Sequence, residues 1–284
     1  MGRDVVGEPD QFHVRPWSTI FRIPTTAGNV YLKAVPRRLA HEVRLTRWLA
    51  RHVPDRVLPV LAADDGRGLM LLPEGGVRLR DFNTPDLRVW CQLAATYAEL
   101  QVRVEPHVSE LLALGVPDRR LVHLPKAIAA VLPARDRDLV RRYAALCDEL
   151  AAQGVPETIQ MDDLHDENVF TDGDRLRVFD WGDASLAHPF FSLPMLLETA
   201  MERLGLAPDA LERRRVRDAY LEPFTRFAAV GALRTAAKLA PRVVPTVRIL
   251  AWQLAYEHTP SDQHTGQWGE TLDELIQQQR AALA

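Results

Sequence analysis

The chain has 284 residues, 47% hydrophobic and 26% charged, enough apolar surface for a large core in one domain or two lobes. Lys and Arg total 35 against 38 acidic residues, a net charge of −3, which excludes the broadly basic surface expected of a nucleic-acid binder. Cys91 and Cys147 lack zinc or CxxC spacing and read as reduced thiols. The start MGRDVVGEPD carries no apolar signal region and no membrane-spanning apolar run follows, so a cytoplasmic protein without a membrane partner is expected.

In chain order, QFHVRPWSTIFRI and NVYLKAV are rich in β-branched and aromatic residues on either side of TAGN, which predicts strands over 11–35 arranged as a hairpin. Pro36 opens a helical stretch, RRLAHEVRLTRWLARHV, with apolar residues near helical spacing, and Pro54 ends it. Two short strands are expected at 57–62 and 68–72. Pro73-Glu74-Gly75-Gly76 closes the second and reads as a hinge. Helices are then predicted at 85–103, 117–131, 136–152, 190–204, 208–230, 235–257 and 267–283. The order implies an α+β fold with a small N-terminal lobe, 1–74, and a larger, mostly helical lobe, 75–284.

One segment interrupts the helices. ETIQMDDLHDENVFTDGDRLRVFDWGD, 157–183, reads as a polar loop, a strand at 168–170, a turn at 171–174 and a returning strand at 176–179. The loop offers Asp163, Asn168 five residues on, and Asp180 at the end of the returning strand. Hard divalent cations take such oxygen ligands, and phosphoryl transfer needs a base that orients a hydroxyl beside cations that bridge phosphates. The hairpin folds Asp180 back toward Asn168.

MDDLHDENVF followed by VFDWGD resembles the aminoglycoside-phosphotransferase-like family of small-molecule kinases, which includes choline-kinase-like members, over roughly residues 12–260. The resemblance implies a bilobal protein-kinase-like fold, ATP and Mg²⁺ as cofactors, a small-molecule acceptor, Asp163 as catalytic aspartate, and Asn168 and Asp180 as metal ligands. Met161 and Asp162 stand where that family usually has His and Gly. Met161 therefore implies that apolar packing alone holds the loop, and Asp162 adds a carboxylate beside the base.

Only three lysines occur, Lys33, Lys126 and Lys238. Alternation in NVYLKAV puts Tyr31, Lys33 and Val35 on one face of a strand. Glu42 on the next helix is in line with Leu45 and Leu49. Lys33 paired with Glu42 would aim its ammonium at phosphates, as in kinases; read singly, Lys33 is an edge-strand lysine and Glu42 an intrahelical partner of Arg38. No GxGxxG is present, so Ser18 and Thr19 in RPWSTIF are the expected phosphate cover. Leu71 and Leu72, with Glu74 after them, resemble the connection that meets adenine, and Tyr31 is placed to pack on the base.

Between 157 and 183 nine carboxylates face Arg175 and Arg177 alone, an excess that favours a cationic acceptor such as an aminoglycoside, an amino sugar or a basic peptide antibiotic. Asp162, Asp183 and Glu198 are the candidate acceptor contacts, with Glu257, Asp262 and Trp268 further off, and His188 reads as a loop or capping residue. Two rival readings remain. His165-Asp166 is also the core dipeptide of a metal-dependent phosphohydrolase, although that fold places it on a helix and here Val169 and Phe170 follow as strand. A non-catalytic kinase-like binding protein would lack one of Asp163, Asn168, Asp180 or Lys33, all of which are present.

Overall fold

The computed structural model describes residues 4–81, 86–172, 175–257, 259 and 271–283; Asp174, Asp262 and Trp268 lie outside them. The fold is α+β, and the chain forms two compact units: Met1–Phe82 with Asp166–Gly182 and Leu254–Thr259, and Asn83–His165 with Asp183–Gln253 and Pro260–Ala284. The division expected at 74 followed chain order. The 166–182 hairpin instead belongs with the first unit, because its strands pair there.

In the first unit β1 (Asp10–Arg15), β2 (Ser18–Thr25), β3 (Gly28–Ala34), β4 (Ala62–Asp64) and β5 (Leu69–Pro73) form an antiparallel sheet in the order β1-β2-β3-β5-β4. The expected hairpin is thus three strands, since Pro16 and Trp17 turn the chain a first time between Arg15 and Ser18. The strand expected at 57–62 starts only at Ala62. Pro59 cannot donate to a ladder, and Val57 makes an isolated bridge to Val178.

Helix α1 (His41–His52) buries Glu42, Val43, Leu45, Thr46 and Leu49. Leu39 and Val43 pack with Val35 and Met70, and Trp17, Leu72 and Leu254 border them. Arg38 donates from Nε and Nη2 to the carbonyls of Leu254 and Ala255 at 3.0 and 2.7 Å, which takes it away from Glu42. A second sheet joins β6 (Val77–Arg78), β8 (Val169–Thr171) and β9 (Leu176–Val178) in the order β6-β8-β9. The residues after Pro73 therefore continue into a short strand that sequence reading missed.

In the second unit α2 (Leu87–Val104) is the central element, with Trp90, Leu93, Tyr97, Leu100 and Gln101 all fully buried. A buried amide must be satisfied. Gln101 donates to the carbonyls of Ile159 and Pro189 and accepts from the Tyr220 hydroxyl at 2.6 Å. The unit also holds α3 (Val108–Ala113), α4 (Leu124–Val131), α5 (Arg137–Ala151), α6 (Leu193–Leu204), α7 (Leu211–Leu221), α8 (Val230–Tyr256) as far as Gln253, and α9 (Leu272–Leu283).

The helix expected from 117 begins at Leu124, because Pro117 and Arg119 exchange main-chain hydrogen bonds with Leu186. The stretch expected as one helix over 208–230 ends α7 at Leu221 and tightens to 3-10 geometry where Pro223 lacks a donor. In α8, Pro241 and Pro245 interrupt the ladder. The fully buried Gln279 amide accepts from Thr246 N–H and donates to the Arg242 carbonyl, both at 2.9 Å, joining two groups that an unbroken helix would pair directly.

Gly75 meets the Phe170 ring so closely that an added Cβ would lie 2.3 Å from it, and Phe170 in turn stacks on Phe179 with centroids 4.2 Å apart. Gly75→Ala is expected to lower stability by about 1–3 kcal/mol through overpacking, and Phe170→Leu in the same chain to recover part of it. Urea denaturation of the single and double variants measures this.

Candidate active site

Beneath the five-stranded sheet the first unit holds a cavity of about 620 Å³. Strand register decides which side chains reach it. Lys33 pairs across with Ile20 and Met70, and Tyr31 with Arg22 and Leu72, so these residues share the cavity face and line it. Leu71 pairs with Leu32 and Thr19 with Ala34, which puts both side chains on the opposite face. Of the two leucines expected at the base, only Leu72 lines the cavity, and Thr19 has no hydroxyl to offer there. Ser18 is on the Lys33 face but is buried and does not line the cavity. Glu74 lines the cavity next to Gly75 and Gly76, and burial, then the Glu74 charge, push the Tyr31 hydroxyl above its ordinary pKa.

At the inner end Lys33 Nζ donates to Glu42 Oε1 at 2.6 Å and to Asp180 Oδ1 at 2.7 Å. The Lys33 and Glu42 side chains are 7% and 2% exposed, whereas Asp180 keeps 44%. Burial opposes the charge of Lys33, but Asp180 and Glu42 outweigh it and hold its pKa above the ordinary value. Glu42 gains less, because burial and repulsion from Asp180 exceed the pull of Lys33 and push its carboxyl up to about 7.

Asp180 has φ of 65°, the one non-glycine with positive φ among the described residues. Asp tolerates the left-handed region better than most residues, and this turn at the end of β9 aims its carboxylate at Lys33. Gly182 permits the approach, since a Cβ there would come within 3.1 Å of Glu42 Oε2. Phe179 N–H donates to the Asn168 carbonyl at 3.1 Å, which sets Asn168 beside the residue that precedes Asp180. Sequence reasoning passed over Gly182, although its place two residues after Asp180 was the available signal.

Arg80 was also missed. It donates through Nε and Nη2 to Asp166 Oδ1 at 3.0 and 2.9 Å and pairs with Glu167 at 2.9 Å, which fixes the start of the segment carrying Asn168. Asp166 is fully buried in this contact. Among the described residues no three His, Cys, Asp or Glu side chains gather as a metal site of the kind the phosphohydrolase reading needs.

In the second unit β7 (Thr158–Gln160) pairs antiparallel with β10 (Ser185–Ala187), Gln160 opposite Ser185, so the residues just after β7 meet those just before β10. Asp183 Oδ2 accepts from the main-chain N–H groups of Asp162 and Asp163 at 2.5 and 2.8 Å. Met161 is fully buried, and its N–H donates to Tyr97 Oη and Ser192 Oγ at 3.0 and 3.1 Å. Hydrogen bonds therefore hold this loop as well as apolar packing. Asp163 is exposed between the buried Asp162 and Leu164.

Asp162, expected as an acceptor contact, is 6% exposed. Burial pushes its carboxyl up to about 6, opposed by Arg119 and Arg248. Glu198 is exposed on α6. His188 caps the turn after β10 by accepting from Phe190 N–H at 3.2 Å, and burial lowers its pKa to about 3.

Lys33→Met leaves Glu42 and Asp180 without their shared cation. Stability is expected to fall on the order of 3 kcal/mol, with partial recovery when Glu42→Leu is added, as read by urea denaturation. Asp162 holds its proton to higher pH folded than unfolded, where a carboxyl titrates near about 3.9, so its contribution to stability declines as pH rises from about 4 to about 6. Asp162→Asn is expected to flatten the stability profile across that window.

The model of the phosphotransferase enzyme family matches residues 8–233. No curated protein matches the chain in sequence. Solved structures share the fold. The choline kinase LicA from Streptococcus pneumoniae superposes with a TM-score of 0.59 at 14% identity, over 99% of this chain and 92% of that one. The macrolide 2′-phosphotransferase type I superposes at 0.58 and 15%, over 100% and 93%. Amicoumacin kinase hAmiN, solved with AMP-PNP, Ca²⁺ and Ami, superposes at 0.56 and 13%, over 97% and 87%. With the family model covering most of its length, the chain belongs to the phosphotransferase enzyme family, whose aminoglycoside-phosphotransferase-like members its loop and hairpin resemble.

Proposed function

We propose that this protein transfers the γ-phosphoryl group of ATP to a hydroxyl of a small, cationic molecule, an aminoglycoside, amino sugar or basic peptide antibiotic. The observation that carries the reading is the Lys33 ammonium held between Glu42 and Asp180 at the end of a 620 Å³ cavity. Such a lysine is oriented rather than free, and a fixed cation is what a phosphate chain requires. The first unit then takes the nucleotide, with Tyr31, Leu72 and Glu74 around the base and Lys33 on the phosphates. The second unit supplies Asp163 and the acceptor contacts.

The donor set fits a hard divalent cation. Asn168 and Asp180 offer oxygen, and the triad of Lys33, Glu42 and Asp180 carries one formal negative charge in excess at the side of Asp180 that solvent reaches. When bound, Mg²⁺ would neutralise charge on the phosphates. Asp163 is proposed to accept the proton of the acceptor hydroxyl. Its exposure and its fixed main chain support that role, because a base must reach substrate without wandering.

The acceptor's positive charge is inferred from the surplus of carboxylates between 157 and 183. Part of that surplus is already spent. Asp162 faces Arg119 and Arg248, and one Asp183 oxygen serves the loop. Asp163, Asp183 and Glu198 on α6 are the groups proposed to meet the cation.

The test is ATP consumption with Mg²⁺ across aminoglycosides, amino sugars, basic peptides and amino alcohols. One class is expected to stimulate turnover, and Asp163→Asn to lower kcat by about 10²–10⁴-fold while AMP-PNP affinity stays within twofold. Absence of any stimulation, or an Asp163→Asn variant that turns over as fast as the parent, overturns the reading.

A further inference from the structure

The ladder between β1 and β2 slips by one residue: Gln11 faces Phe21, yet His13 faces Ile20, so Phe12 is an inserted bulge residue. A one-residue slip exchanges the faces of everything beyond it. Ile20 shares the cavity face with Lys33. The bulge therefore turns His13 and Arg15 onto that face and Val14 away from it; without the extra residue Val14 would point in and His13 and Arg15 out. Phe12 itself lines the cavity and meets Tyr31 edge-on, with centroids 6.1 Å apart.

His13 is only partly exposed and shares the sheet face of Lys33 without itself lining the cavity; burial, then the Arg15 charge, lower its pKa, and Asp180, which lines the cavity, opposes them. The turn that follows is poorly suited to wrap phosphates with its main chain. Pro16 has no N–H, its carbonyl accepts from Arg38 Nη2 at 3.0 Å, and Trp17 is packed edge-on against Tyr256. A glycine-rich turn contributes backbone donors that cradle phosphates, and this turn contains no glycine.

We propose that His13 contacts the phosphate chain of the nucleotide, delivered over the Lys33 end of the cavity by the β1 bulge in place of the main-chain donors of a glycine-rich turn. The inference rests on the kinase reading above. It also gives the bulge a purpose, since bulges recur where a side chain has to be re-aimed.

The experiment is calorimetric titration of the full chain with AMP-PNP and Mg²⁺ and, separately, with adenosine. His13→Ala is expected to weaken AMP-PNP about tenfold and adenosine less than twofold, and His13→Gln, which restores a donor, to recover part of the loss. Unchanged AMP-PNP affinity in His13→Ala, or equal losses for both ligands, overturns the contact and leaves the kinase reading standing. A folded parent protein that binds no AMP-PNP overturns both. Circular dichroism checks that each variant is folded, and should His13→Ala not fold, His13→Leu is read by the same criteria.

Discussion

One buried ammonium organises the first unit. Lys33 is out of water, and a cation there is tolerated only because two carboxylates meet it at 2.6 and 2.7 Å. Each partner imposes a demand elsewhere. Glu42 must come from the buried face of α1, which fixes how that helix lies on β3. Asp180 must turn back from β9 through the left-handed backbone at φ 65°, and Gly182 leaves the Glu42 carboxylate room beside it. Three distant stretches of sequence are thus committed to one point. The charges do not balance: Glu42, fully enclosed and close to Asp180, is the member least favoured as an ion, and the exposed edge of Asp180 carries the excess.

The residues that meet there were legible in the sequence because the pattern that orients each one is local. Alternation in NVYLKAV oriented Lys33, helical periodicity oriented Glu42, and two short strands with a turn between them brought Asp180 back. The alternative pairing of Glu42 with Arg38 fails for a reason no local pattern contains: Arg38 is taken by carbonyls more than two hundred residues away in sequence. Leu71 and Thr19 were misjudged because runs of similar residues hide which face each one takes, and only strand register decides. The pairing of β7 with β10 escaped notice because each strand has three residues, too few for periodicity to register.

The loop before the hairpin follows a different design from the one implied by its resemblance. Where a histidine would ordinarily sit, Met161 contributes packing, and its N–H is held by Tyr97 and Ser192 instead. Asp183 accepts the next two main-chain donors, so a residue expected to meet the acceptor is at least half occupied with shaping the loop. Asp162 then has room only inward, against Arg119 and Arg248. Arg119 is itself buried, and the same desolvation lowers its pKa against the pull of Asp162 and Asp183. The two charges influence each other without a hydrogen bond between them, both Asp162 oxygens being buried and unpartnered, so the shape of the loop rests on the main-chain donors that Asp183 accepts.

The boundary between the compact units passes between His165 and Asp166, inside the loop that carries both the proposed base and the proposed metal ligand Asn168. Each side of that boundary has its own clamp. Arg80 grips Asp166 and Glu167 within the first unit, and Asp183 grips Asp162 and Asp163 within the second. Only Leu164 and His165 separate the clamped segments, and Leu164 is fully buried. The five residue steps from Asp163 to Asn168 set an upper bound of roughly 17–18 Å on their separation whatever the loop does. Each clamp orders its own side of the loop within its own unit, so the entropic cost of ordering Asp162 and Asp163, and of ordering Asp166 and Glu167, is met when that unit folds.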